Sequence, residues 1–114
     1  MTIPELTAQI RAFRDARDWQ QFHSPKDLAV AIVAEAGELL QPFVWKSPSE
    51  SFAIAQQKRH LIADEVADVA ILLFEVADQL GLDLAAEIQA KLARNELRYP
   101  VEKARGSNLK YNEL

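Results

Sequence analysis

Apolar residues recur at helical spacing along most of this chain, and short capping signatures cut the pattern into segments. Thr2-Ile3-Pro4-Glu5 reads as a helix start, with Thr2 as N-cap, Pro4 in the first turn and Glu5 at the capping-box position. Leu6, Ile10 and Phe13 then share a face, which predicts a first helix to about Asp18, with Arg11, Arg14 and Arg17 on a solvated basic side. Residues 18–23 connect it to the next segment and carry two large aromatics, Trp19 and Phe22. Ser24-Pro25-Lys26-Asp27 opens a second helix, and Ser47-Pro48-Ser49-Glu50 repeats the signature. Residues 51–59 form either a short helix of their own or the first turns of a long one ending near Leu80, with Gly81 as its C′ residue. Asp83 caps a last helix, Leu84 to about Tyr99, with Leu84, Ile88 and Leu92 facing inward, and Pro100 stops it. The tail from Val101 to Leu114 has no periodicity, and no segment alternates as a strand would. The expected fold is all-α: a single domain, residues 1–114, in which four main helices pack as a bundle.

The second helix changes the picture. From Leu28 to Trp45 its only polar side chains are Glu35, Glu38 and Gln41, so it is apolar on almost every side. Such a helix is buried all round, which a 114-residue monomer has little means of doing. An oligomer is therefore expected. Pro42 weakens this helix near its end, and Phe43-Val44-Trp45 leads out of it.

Charge and composition narrow the partners. A net charge of −4 without any run of Lys and Arg argues against a nucleic-acid binder. Cysteine is absent, which excludes disulfides and thiolate metal sites. Met1 to Glu5 lacks the pattern of a signal peptide, and Glu35 and Glu38 interrupt the longest apolar run, so no membrane span is expected. The expected setting is soluble and intracellular, in the cytoplasm.

Two acidic pairs then stand out, Glu35-x-x-Glu38 and Glu65-x-x-Asp68. Each is spaced i, i+3, so both members point from one side of a helix. On the long helix, Leu61, Ile62, Val66, Val69, Leu72, Leu73, Val76 and Leu80 form an apolar arc that contains Glu65 and has Asp68 at its edge. Asp64, Glu75 and Asp78 fall on the other side, free to face water or a partner subunit. Exposed acids such as Glu50 and Glu87 need no more than a Lys or Arg neighbour. Four carboxylates in apolar surroundings repel one another and are costly to desolvate unless a cation joins them. Oxygen ligands without His or Cys favour Mg²⁺, or Mn²⁺, over Zn²⁺. Neither His23 nor His60 follows a Glu by three residues, as a di-iron bundle would require. Lys91, Asn95 and Arg98 form a polar stripe that is ordinary helix surface alone but suits a polyphosphate beside a metal. Trp19, Phe22 and Trp45 serve either packing or the stacking of a nucleobase.

Glu-x-x-Glu followed after 26 residues by Glu-x-x-Asp resembles the all-α nucleoside triphosphate pyrophosphohydrolases, the MazG-like superfamily. Residues 17–23 (Arg-Asp-Trp-Gln-Gln-Phe-His), Phe43-Val44-Trp45-Lys46, Arg98-Tyr99-Pro100 and Lys110-Tyr111 are similar to the short dCTP pyrophosphatase branch, a likeness running from about residue 12 to 114. The resemblance implies cleavage between the α and β phosphates of dCTP or relatives such as 5-methyl-dCTP, with release of the monophosphate and pyrophosphate, in a homotetramer. It implies Glu35, Glu38, Glu65 and Asp68 as Mg²⁺ ligands, with Glu35 or Glu38 also orienting the attacking water. It places Lys91 and Asn95 at the phosphates, with Arg98, Tyr99, Lys110 and Tyr111 beside them, and Trp19, His23 and Trp45 at the base. Where this branch is expected to carry an aromatic one turn past the second acidic motif, this chain has Leu72. The same chemistry on dUTP, dTTP or another nucleotide is one alternative, and a non-catalytic helical interaction module is another.

Overall fold

The computed structural model describes residues 1–114 and contains no strand. Its six α-helices are α1 (Ile3–Ala16), α2 (Pro25–Leu40), α3 (Pro48–Gln57), α4 (Arg59–Gln79), α5 (Leu84–Arg98) and α6 (Val101–Ala104). Three 3-10 turns join or end them, at Gln20–Phe22, Gln41–Phe43 and Tyr111–Glu113.

The capping signatures work as expected. Thr2 and Ser47 each accept from the backbone N–H three residues on, and Glu5 and Glu50 reach back to the cap N–H groups, completing two capping boxes. Ser24 accepts from the Asp27 N–H and Asp83 from the Ala86 N–H. α1 stops in a Schellman arrangement: Trp19 N–H donates to Arg14 O at 3.1 Å and Asp18 N–H to Asp15 O at 3.0 Å. Asp18 occupies the left-handed position with φ 53°, where glycine is the usual residue. Gly81, φ 66°, holds the corresponding place after α4. Between Gln57 and Arg59 only Lys58 is non-helical, so the segment after Ser47 is a short helix followed by a long one.

The chain forms two compact units, Met1–Gly81 and Leu82–Leu114. In the first, α4 is the hub: α2 lies along one face, α1 on another, and α3 meets the start of α4 and the turn after α2. α5 belongs to the second unit, so the first unit is a three-helix packing with α3 as an accessory. In the second unit the Tyr99 and Tyr111 rings meet edge to face at 6.1 Å, and the Arg98 guanidinium lies 4.9 Å from the Tyr111 ring centroid. This gives structure to a tail that shows no periodicity.

The well-buried core is small. Leu28 on α2 is 1% exposed, and Ala77 and Pro42 are buried. On the outer side of α2, Val30, Val33 and Leu40 are open to solvent, Val33 at 73%. Between α1 and α4 runs an apolar groove of about 470 Å³ lined by residues that include Leu6, Ile10, Phe13, Ile71 and Phe74.

Two acids expected to face water or a partner are instead paired within the fold. Glu75 is 4% exposed and accepts a hydrogen bond from His23 Nδ1 at 3.1 Å. Gln79 donates to the His23 carbonyl, which ties the connector to α4. Asp78 takes two hydrogen bonds from Arg11, at 2.8 and 2.6 Å, and that guanidinium holds the Asp78 carboxyl below the usual carboxylate range. The wheel of α4 alone hid this, because the side opposite its apolar arc is covered by α1 and the connector.

Leu28→Ala is expected to lower the unfolding free energy by about 3 kcal/mol, the cost of a lost buried side chain plus its cavity. Urea titration followed by circular dichroism measures it, and a loss under about 1 kcal/mol would show that Leu28 does not anchor the core.

No single helix is long and apolar enough to cross a membrane. α2 with its following turn passes such a test only together with α3, and the two are bent by 104°.

Candidate functional site

The packing of α2 on α4 brings Glu35, Glu38 and Glu65 together, each with a carboxylate oxygen within 4.8 Å of the other two. Glu35 and Glu38 project from adjacent turns of α2, and Glu65 meets them from α4. One oxygen of Glu35 and one of Glu65, Oε2 in both, are shielded from solvent and have no hydrogen-bond partner. Orphaned buried carboxylate oxygens are rare and call for a proton or a cation. Glu38 is exposed.

The electrostatics of the metal-free cluster follow from this crowding. Desolvation raises Glu65 from its ordinary value of 4.5 to about 7, reinforced by the close approach of the Glu35 and Glu38 carboxylates and by their charges. Glu35 is also raised, first by desolvation and then by the charges of Glu38 and Asp68, while the adjacent Glu65 carboxyl opposes the rise. Crowding and desolvation thus favour the protonated form of both carboxyls. Asp68 is near enough to act on Glu35 through its charge, but it is exposed and lies outside the three-carboxylate group. A set of hard oxygen donors with two orphaned atoms fits a divalent cation of the Mg²⁺ or Mn²⁺ kind.

Beside the acids lies a cavity of about 310 Å³ lined by Glu38, Gln41, Pro42, Lys58, Leu61 and Glu65. Sequence reading passed over Lys58, although it stands seven residues before Glu65 and so on the same side of α4.

The other expected residues fall in separate places. Trp19, 43% exposed, packs edge to face on Phe13 with centroids 5.8 Å apart and lies 6.4 Å from the His23 ring. The buried partner of His23 is Glu75, which sequence patterning assigned elsewhere. Trp45 is 97% exposed, has no aromatic partner and sits at φ 64°, a strained conformation for a large side chain that costs about 1 kcal/mol or more. Lys91, Asn95, Arg98, Tyr99, Lys110 and Tyr111 are all in the second unit. There Arg98, Tyr99 and Tyr111 cluster, and Lys91 is exposed.

This geometry has company among known proteins. The sequence matches the MazG-like family over residues 30–114. Across 99% of its length it is 38% identical to dCTP pyrophosphatase 1 of Rattus norvegicus, and 36% identical to that of Homo sapiens, covering 68% of each relative. Among solved structures, a pyrophosphatase from Archaeoglobus fulgidus DSM 4304 has a TM-score of 0.82 at 37% identity, covering 85% of this chain and 91% of that one. The chain belongs to the MazG-like family.

The raised carboxyls set a pH signature for the metal-free protein. Unfolded, Glu65 ionises near 4.5; folded, it keeps its proton to about 7. The folded state therefore binds more protons in that window, and stability falls as pH rises through it. The lowered carboxyls of Asp27, Glu50 and Asp78 work in the opposite sense, but only at more acid pH. Thermal melts in EDTA should show a midpoint that drops from pH 5 to pH 8, with the slope reduced in Glu65→Gln. A flat wild-type profile would refute the raised Glu65 carboxyl.

Proposed function

We propose that this chain is a Mg²⁺-dependent pyrophosphohydrolase that cleaves the α–β phosphate bond of dCTP or a modified deoxycytidine triphosphate, giving the monophosphate and pyrophosphate. The observation that carries the reading is the convergence of Glu35, Glu38 and Glu65 around two buried, unpartnered oxygens. Membership of the MazG-like family and 38% identity to a dCTP pyrophosphatase support the reaction and the base. At the coarser level, the chain is a nucleotide pyrophosphohydrolase.

Glu35, Glu38 and Glu65, with Asp68 beside them, would hold the cation; Mn²⁺ suits the same donors. Bound there, it supplies positive charge against the charge that develops on the phosphates. The protein's own groups do the rest. Glu38, open to solvent, orients the attacking water and accepts its proton, whereas Glu35 is partly shielded. The family resemblance assigns the phosphates to Lys91 and Asn95, with Arg98, Tyr99, Lys110 and Tyr111 in support, all of them in the second unit. Trp19 and Trp45 offer ring faces to the base, and His23 offers it a hydrogen bond from a ring that Glu75 holds in place. No Ser, Cys or His nucleophile is needed. The acidic chain has no basic run for nucleic acid, and the reading places it in the cytoplasm with its nucleotide substrate.

Open apolar side chains on α2 support a homotetramer, in which copies of the chain would cover Val30, Val33 and Leu40. Light scattering should then give about four times the 12.8 kDa chain mass, and a monomeric mass would remove the tetramer from the proposal.

A panel of nucleoside triphosphates scored by released pyrophosphate tests the function, with dCTP or 5-methyl-dCTP expected to turn over fastest and only with Mg²⁺. Glu38→Gln should lower turnover at saturating Mg²⁺ by at least about 100-fold while leaving the helical spectrum unchanged. Near-wild-type turnover in that variant, or no pyrophosphate from any nucleotide, would overturn the proposal.

A further inference from the structure

Lys58 sits at the break between α3 and α4, the single residue that ends one helix and precedes the other. Its backbone, φ −108° and ψ 29°, departs from the helix. From that corner Lys58 shares a cavity with Glu38 and Glu65 and is the only cationic side chain lining it. Yet Lys58 forms no ion pair and no side-chain hydrogen bond with any group, although two carboxylates share its cavity. Seven residues of helix set its backbone roughly 10 Å along the axis from Glu65. The cavity thus brings two carboxylates and an unpaired, exposed lysine to one opening. An anion that meets a cation-binding carboxylate group there would also meet a matching charge on Lys58.

Resting on the proposed pyrophosphohydrolase reading, we propose that Lys58 binds the phosphates that leave as pyrophosphate. Lys58 Nζ donates charge-assisted hydrogen bonds to their oxygens, and these strengthen as the leaving group gains charge. Lysine suits this task as a compact, mobile point charge on a flexible stem. Leu61 and Pro42 supply apolar surface beside it in the same cavity.

Pyrophosphate itself is the probe, since it is a product and is not turned over. Calorimetric titration into the Mg²⁺-loaded protein should show that Lys58→Ala weakens pyrophosphate binding about tenfold, the worth of one charge-assisted hydrogen bond. Binding of dCMP should be unchanged, and Lys58→Arg should recover most of the lost pyrophosphate affinity. Lys58→Ala binding pyrophosphate within twofold of wild type, or losing dCMP to the same extent, would overturn the assignment while leaving the hydrolase reading intact. Wild-type protein that neither binds pyrophosphate nor releases it from any nucleotide would overturn both. A Mg²⁺ affinity that rises in Lys58→Ala, with pyrophosphate affinity held, would show that Lys58 only tempers the acids, which also defeats the assignment.

Discussion

Three carboxylates within 4.8 Å of one another are the constraint on which the first unit is built. Left ionised and alone they would push α2 and α4 apart, so the packing must supply what separates them from an unstable arrangement. Protonation relieves that repulsion, and the crowding favours it by raising Glu65 to about 7. Mutual repulsion and desolvation raise the proton affinity, and the same two terms make the group attractive to a divalent cation. Stability and chemistry thus draw on one feature.

α4 carries this burden because it is covered on more than one face. α2 delivers Glu35 and Glu38 to the side with Glu65. α1 and the connector close another side, where Arg11 meets Asp78 and His23 meets Glu75. Each of these contacts joins residues more than fifty positions apart, so α4 is held in register by polar pairs as well as by Leu28 and Ala77. The polar pairs fix orientation; the apolar contacts supply most of the free energy.

How much was legible depended on how local the physics is. The caps at Thr2, Ser24, Ser47 and Asp83 could be read because each involves neighbours three residues apart. Glu35, Glu38 and Glu65 were legible because charge at helical spacing in apolar surroundings has few explanations. Asp68 shared their pattern, but the crossing of α2 on α4 gathers three carboxylates and leaves it at the margin. The burial of Glu75 was not legible, since it depends on where the connector lands rather than on the wheel of its own helix. Lys58 escaped notice for the same reason, being an ordinary surface lysine until the α3–α4 break places it in a cavity with two acids. The short α6 and the Tyr111–Glu113 turn span too few residues for any period to show.

The two tryptophans have one further consequence. Trp45 projects into solvent from a left-handed turn, whereas Trp19 rests against Phe13 and near His23. As the only two indoles in the chain, they form a built-in pair of optical reporters, one fully hydrated and one partly packed. Covering Trp45 shifts its emission to the blue, while loosening of the connector hydrates Trp19 and shifts emission to the red. Intrinsic fluorescence can therefore distinguish capping of that turn from melting of the fold without any label.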